Sequence, residues 1–563
     1  MVKLLKSFYF LGFLVLVASC ATGTKEVKYK LRSQVISGDY SKALSTLETS
    51  KYFKENQQSR LLFLMEKGLI YHGMGRFAKS IEVFEEAKTL ARKQYTVRIS
   101  KKLTTYIGND SSDIYYGEKY ELSMLYFYQS LNHYLLSFAQ DKEIEKVVDG
   151  KQVFQRVELS DKDRRDELFK ARAELLAWDS FLKELGSERA GESVFKNDLA
   201  AKVLGGFIHE AIGTRDDLQI AYQLYKDALI LLVKNYGAYK TFNSNFESYV
   251  KDFEKFPSLG VLKVKKNYIT ETDRQVELKE FLQTKVLTFA KKYRKRSWKQ
   301  EIRPFDIDLS KIKTKKSSNI TLVLQESIIP DKFGEKQYYG LGKELSKSPG
   351  GAILAIFAAD VLGLFPPPKS YNPAGAHLGY NVAKLALSEA AVQFELPKIE
   401  KSNLDNSIVL EVWKKNKIVL EKVVPVVNPL GDIAEQAVVE QSAWLYPKIG
   451  ARLATKHAVA IVAAFGTYQA LKGDKGDNEF LAKNAAILQY IASSKGIEAS
   501  EQADVRQWST IPKALRMLDF YLPNGSYRLV LRSNAKVPKT HQIGQLIVSG
   551  QQKNHLIQTR VNF

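Results

Sequence analysis

Side chains able to do covalent chemistry are scarce in this chain. It holds one cysteine, Cys20, and seven histidines in 563 residues. A single thiol cannot form an internal disulfide or a cysteine-ligated zinc site. His209-Glu210 opens like the zinc-binding pair of a metalloprotease helix. Gly213 stands where the second imidazole is required, so no two ligands share that helix face. Gly340-Leu341-Gly342-Lys343 is followed by Glu344 and not by a hydroxyl, which removes the magnesium contact of a phosphate-cradling loop. Between Asp474 and Asp477, Lys475 and Gly476 break the ligand alternation of a calcium loop. There is no Gly-x-Ser-x-Gly elbow. The expectation is a protein that is not an enzyme and needs no metal or cofactor. A hydrolase assembled in space from scattered His, Asp and Glu is the outsider.

Two groups of residues suit binding instead. Asp504, Arg506 and Trp508 alternate in Ala503-Asp504-Val505-Arg506-Gln507-Trp508. In an extended chain they share one face, where an Asp–Arg pair with the indole over it would pin a loop or read a ligand. The second group is Lys291, Lys292, Arg294, Lys295 and Arg296, with Tyr293 and Trp298 among them. Aromatics among cations suit an anionic polymer or lipid surface; a solvated helix end is the plainer reading.

Cys20 owes its interest to its place. Lys3 and Lys6 precede an apolar run from Ser7 to Val17, then small residues, as in an exported segment. The run is too short for a comfortable membrane span. Leu16-Val17-Ala18-Ser19-Cys20 resembles a bacterial lipobox. That resemblance implies cleavage before Cys20, a thioether-linked diacylglycerol and an N-acyl chain such as palmitate. Each buried methylene adds roughly 0.8 kcal/mol, so several chains anchor firmly. The alternative is an ordinary secretory signal with a chance cysteine. Ala21 at the second mature position is similar to the sorting pattern that directs lipoproteins to the outer membrane, facing the periplasm.

Composition agrees with a folded body: 45% hydrophobic and 26% charged residues, with a net charge of +22. Inside a cell such a charge would suggest nucleic acid; export excludes that partner and leaves headgroups, lipopolysaccharide, cell-wall polymers and acidic proteins.

The elements that must carry these residues fall into three stretches. From Val27 to 245 the period is helical. Gly38-Asp39-Tyr40 and Gly75-Arg76-Phe77 have the shape of tight turns entering helices. Around the second, Leu64, Gly68, Tyr71, Phe84 and Ala87 resemble the large–small–aromatic spacing of a tetratricopeptide repeat. Ala221, Tyr225 and Ala228 repeat the second-helix part of it. This predicts an α-solenoid, with an irregular helical domain as the alternative. Residues 246–316 read as a basic helical connector; from Lys255 to Lys316 there are 18 Lys/Arg against 7 Asp/Glu. From Ser317 the pattern alternates. Strands are expected at Asn319–Leu324, Ala391–Leu396, Ser407–Trp413, Lys417–Val424 and three places after Gly525. Helices are expected at 430–447, 448–471 and 479–494. The fold class is therefore α+β multidomain: signal peptide 1–19, tether 20–26, solenoid 27–245, connector 246–316, and a β-rich sheet or sandwich domain with a helical insertion at 317–563. Gly350–Leu364 and Ala458–Leu471 are apolar enough to be core helix or a flap against a membrane or partner.

The whole chain resembles an uncharacterised family of bacterial lipoproteins with degenerate tetratricopeptide repeats and a β-rich C-terminal region. The matching residues are the lipobox, Tyr116-Gly117-Glu118 with Tyr120-Glu121, Gly206 to Ala228, Leu322 to Glu326 with Pro330-Asp331-Lys332, and Ala503 to Pro512 with Leu522-Pro523-Asn524-Gly525. The resemblance adds an association with the cell wall; the lipobox and the repeat-like solenoid together predict a membrane-anchored scaffold for an envelope protein partner, in envelope assembly or cell-wall synthesis. The alternative is a basic binder of a cell-wall polymer or lipopolysaccharide.

Overall fold

The computed structural model describes residues 20–101, 114–148, 151–186, 198–234, 236, 239–245, 270–314, 318–340, 391–404, 406–472, 478–549 and 554–563. Of these, 56% are helical and 22% are in strands, so the architecture is mixed α/β with several small sheets. Leu16–Ser19 and the apolar Gly350–Leu364 lie outside the described residues.

The chain begins its described part with α1 (Cys20–Ile36), α2 (Tyr40–Thr49), the short α3 (Lys51–Glu55), α4 (Arg60–Gly73), α5 (Phe77–Lys101) and α6 (Lys119–Leu136). A hairpin of β1 (Asp141–Val148) and β2 (Lys151–Glu158) follows, then α7 (Asp161–Gly186), α8 (Leu199–Ile212), α9 (Arg215–Lys234), α10 (Asp273–Tyr293) and α11 (Trp298–Ile302). Apart from short α3 and α11, each helix packs on the one before and the one after. The turns work as the sequence suggests: Gly38 and Gly75 hold φ of 77° and 75°, the left-handed region that ends a helix and lets the next fold back. Close approach has a visible cause too. A methyl built on Gly68 would overlap the Phe84 ring, and one on Gly206 the Tyr225 ring.

Two expectations fail here. The tether expected at Ala21–Lys25 is helical and continuous with α1. The basic connector is not a linker over its described part: α10 buries Leu278, Leu282, Val286 and Leu287, and packs on α9 as one more layer. An apolar stripe at helical spacing outweighs the surrounding charge.

The β region holds β3 (Ile320–Glu326), β4 (Lys332–Gly340), β5 (Ala391–Ile399), β6 (Ile408–Lys414), β7 (Lys417–Val423), β8 (Val426–Asn428), β9 (Ala514–Phe520), β10 (Gly525–Ser533), β11 (Thr540–Val548) and β12 (His555–Val561). One four-stranded sheet runs β11-β10-β6-β7 and another β12-β3-β9-β8, with β12 parallel to β3; β4 and β5 pair separately. Leu322 and Leu324 of β3, Leu410 and Val412 of β6, Leu529 and Leu531 of β10, and Phe520 of β9 share one apolar cluster between the two larger sheets. The strands expected at Ser407–Trp413 and Lys417–Val424 pair as a hairpin that turns at Lys415-Asn416, both with positive φ, the conformation of a two-residue hairpin loop.

Between β8 and β9 stand α12 (Leu430–Lys472) and α13 (Glu479–Ser500). The expected break at 447/448 is absent; α12 runs through Pro447 without interruption. Ala458–Leu471 lies in its C-terminal third, where Ala464 and Tyr468 pack on Ala482 and Ala486 of α13. Among the described residues no helix is long and apolar enough to cross a membrane.

The largest apolar cluster crosses the expected boundary. It runs from Leu64, Phe84 and Tyr128 through Trp178, Phe207 and Leu282 to Val323, Trp508, Ile511 and Met517. The helical layer and the β region thus share a core.

Candidate functional site

Residues 501–512, which lead into β9, are not a strand and turn at Ser509-Thr510; they lie against the helical layer. Glu66 of α4 is buried, and its Oε1 accepts from both the backbone N–H and the hydroxyl of Ser509, each at 2.8 Å. Its Oε2 accepts from the Thr510 hydroxyl. Glu121 of α6 accepts from the Trp508 N–H at 2.7 Å, from the Glu118 N–H at 2.8 Å, and from the Tyr115 hydroxyl. The Glu118 contact is half of a capping box that starts α6. One carboxylate thus caps a helix and fixes the inserted segment. Trp508 is fully buried, its indole tilted against Phe84 and Tyr128 at 5.8 and 5.9 Å. From the other side Arg32 of α1 donates to the carbonyls of Ser509 (3.1 Å) and Ile329 (2.9 Å). Lys28 pairs with Asp331, and Lys332 reaches Glu118 at 3.0 Å.

Burial raises the Glu66 carboxyl against the hydrogen bonds it accepts. Burial and the neighbouring Glu118 charge raise Glu121 to about 7. Beside them runs a polar chain. His72 contacts Asn132 Oδ1 through Nδ1 at 2.6 Å and Gln325 Nε2 through Nε2 at 2.9 Å; Asn132 donates to Ser80 Oγ, and Ser80 to the Gly68 carbonyl. Burial lowers His72 to about 4. A neutral imidazole, donating at Nδ1 and accepting at Nε2, satisfies both neighbours.

Asp504 and Arg506 form the expected pair, at 2.9 Å through Nε and 2.6 Å through Nη2. The guanidinium lies over the Tyr115 ring at 5.4 Å. Trp508 does not cover that pair as expected. The aromatic slot between α5 and α6 takes it instead, so both Arg506 and Trp508 are spent inside the molecule.

The basic residues lie elsewhere. Lys291 and Lys292 end α10, and Arg294, Lys295 and Arg296 follow it; all five are exposed. Cations at a helix C-terminus interact favourably with its dipole. Lys291 sits over Trp298 at 4.8 Å and Lys292 over Tyr293 at 5.2 Å, while Arg294 reaches Gln219 at 3.4 Å.

Lys292 and Tyr293 also border a cavity of about 280 Å³, where the ends of α6, α8 and α10 meet the first residues of β3 and β12. On its wall lies Lys285, fully buried. Its ammonium meets Asp519 Oδ2 at 2.6 Å and Glu210 Oε1, and lies over the Tyr225 ring at 4.7 Å. Tyr225 also donates to Glu210. Burial alone would lower the Lys285 ammonium, but the charges of Asp519 and Glu210 outweigh it and raise it. His209, read in the sequence as half of a metal motif, instead holds Asp217 at 2.6 Å.

Sequence reasoning missed Glu66, His72 and Lys285, since each meets partners hundreds of residues away or sits in an ordinary helix pattern. It also missed β1 and β2, although Asp149-Gly150 between two alternating runs is a hairpin signal. Cys20 opens α1, whose Arg32 and Lys28 clamp the inserted segment and the start of β4. No protein family, no curated protein and no solved structure matches the chain.

Proposed function

We propose that the chain is a lipid-anchored adaptor of the bacterial envelope, acylated at Cys20, held at the outer membrane facing the periplasm, and serving as a tetratricopeptide-type scaffold for an envelope protein partner. The observation that carries this reading is the way the helical layer holds residues 503–512. Carboxylates on two helices take backbone N–H groups while an aromatic slot takes an indole, which is how a helical scaffold grips an extended peptide. The paired glycine-to-aromatic contacts at Gly68/Phe84 and Gly206/Tyr225 support the repeat reading. Because the gripped peptide is the chain's own, the partner engages the outside of the layer. Phe169 and Leu176 of α7, seven residues apart on one helix face, are 39% and 66% exposed there. Direct attachment of α1 to Cys20 would hold this body close to the membrane.

Two measurements test the reading. Cells fed a clickable fatty acid should label the parent and not Cys20→Ser; equal label on both, or none on either, contradicts the anchor. A photo-crosslinker at Phe169 should trap a discrete envelope protein, and Leu176→Glu should abolish the adduct. An adduct that survives Leu176→Glu, or its absence at every salt concentration, contradicts the scaffold.

A further inference from the structure

From Lys291 to Gln300 the chain carries six cations and no acid. Lys291, Lys292, Arg294, Lys295, Arg296 and Lys299 are all exposed. Inside the molecule cations are matched: Lys285, Arg452, Arg506 and Arg516 each meet a carboxylate. Here none of the six has a carboxylate within ion-pair distance among the described residues; Arg294 reaches the neutral Gln219 amide at 3.4 Å. The next acid along the chain, Glu301, already takes the Tyr222 hydroxyl at 3.2 Å and the Lys226 ammonium at 3.4 Å.

The array is also held in place. Lys291 and Lys299 lie over the Trp298 ring at 4.8 and 5.9 Å, and Lys292 lies over Tyr293 at 5.2 Å. A ring face orients an ammonium without neutralising it. Six like charges in ten residues repel one another, and an anion from outside relieves that repulsion.

Position narrows the kind of anion. Lys292 and Tyr293 border the first residues of β3 and β12. Helix α1, which opens at Cys20, meets the chain beyond the other ends of those strands. Asn562 donates to the Ile36 carbonyl at 2.6 Å, Arg32 to the Ile329 carbonyl at 2.9 Å, and Lys28 to the Lys332 carbonyl at 3.1 Å. Each step along α1 towards Cys20 thus leads further past β3, whose seven residues span about 20 Å. A bilayer that holds Cys20 lies at the opposite end from the turn.

We propose that this turn docks a linear polyanion, a soluble chain with closely spaced phosphate or carboxylate groups, on the side of the molecule away from Cys20. Arg294 and Arg296 grip oxyanions with paired N–H groups, and the lysines supply point charges beside them. This goes beyond the scaffold reading; only the facing of the turn rests on the anchor at Cys20.

The test is fluorescence anisotropy of labelled polyphosphate and labelled polygalacturonate with the detergent-solubilised full chain. At least one should bind, and the tighter of them names the phosphate or the carboxylate as the group recognised. Binding should weaken about a hundredfold between about 50 and 200 mM salt, as for about five neutralised charges. Changing Lys291, Lys292, Arg294, Lys295 and Arg296 together to Gln should weaken it by at least about a hundredfold. Changing Lys415, Lys417 and Lys422 to Gln, exposed in the β6–β7 hairpin, should alter it less than about threefold. Binding of neither polymer, no loss in the first variant, equal losses in both variants, or a salt dependence below about threefold overturns the proposal. With the chain seated in neutral phosphatidylcholine vesicles, the polymer should bind as it does in detergent. Loss of binding there would put the turn against the bilayer and make a membrane its partner, which also overturns the proposal. A chain that fails to enter the vesicles contradicts the anchor, and the polymer is then judged by the detergent measurements.

Discussion

Two of the joints between the helical layer and the β region are built from similar residues. At the first, Glu66 and Glu121 face Trp508 across an aromatic slot. At the second, Glu210 and Lys285 face Asp519 beside Phe207 and Tyr225. The first is closed by a peptide: backbone N–H groups and hydroxyls occupy the carboxylates, and the indole fills the slot. The second is closed by a single ammonium, which meets both carboxylates but cancels only one of their two charges, and a cavity remains beside it. One ammonium can bridge two carboxylates, but filling the volume between the elements needs a segment. That difference separates a joint filled by the chain's own segment from one that leaves a space.

The contrast is broken most directly by emptying the closed joint. Trp508→Ala removes a fully buried indole from between Phe84 and Tyr128 and should cost about 3–5 kcal/mol, read as a fall in the urea midpoint. A loss below about 1 kcal/mol would mean the slot does not depend on its occupant.

At the open joint, Lys285→Met keeps the side-chain length and removes the charge. Asp519 is then left buried without its ammonium, at a cost of about 3 kcal/mol. Adding Asp519→Asn and Glu210→Gln should restore much of it, because the penalty is unpaired charge and not lost volume.

Protonation sharpens the comparison further. Glu121 has an ordinary value of 4.5 and titrates at about 7 in the folded chain. The folded state therefore keeps a proton that the unfolded chain has released. This contribution is fully present below pH 4.5 and is lost as pH rises through 7. His72 acts oppositely: lowered to about 4 from 6.5, it favours the fold above pH 6.5 and loses that contribution as pH falls towards 4. The difference in stability between the parent and Glu121→Gln should thus vary with pH by roughly 3 kcal/mol between pH 4 and 8. Parallel stability curves would contradict the assignment.

The smallest effect is expected at the basic turn. Changing Lys291, Lys292, Arg294, Lys295 and Arg296 together to Gln should shift stability by less than about 0.5 kcal/mol, because all five are exposed. A large loss would make the turn part of the fold and not of a binding surface.

Local pattern carried a good part of this fold. The turns at Gly38 and Gly75, the close approach at Gly68, the hairpin at Lys415-Asn416 and most strands after Ser317 all follow from short-range spacing. What stayed hidden depends on partners far along the chain. β9 carries Arg516 and Asp519 inside an otherwise apolar run, and charges there argue against a central strand until Glu326 and Lys285 are seen to neutralise them. Trp508 alternates with Asp504 and Arg506 on paper, but nothing local shows that α5 and α6 provide its slot. Pro447 reads as a helix break, yet α12 continues through it. Of the candidate residues, the basic turn was found for its charge, while the cavity beside it is a product of seven elements meeting and leaves no mark in any one stretch.

The measurement closest to the central claim is amide hydrogen exchange over the whole folded chain. The N–H groups of Trp508 and Ser509 donate to buried carboxylates, so a peptide spanning 506–511 should exchange as slowly as α4 and α6, despite having no regular secondary structure. Exchange of that peptide within seconds, with α4 and α6 still protected, would show the helical face to be open to other ligands and would contradict the account.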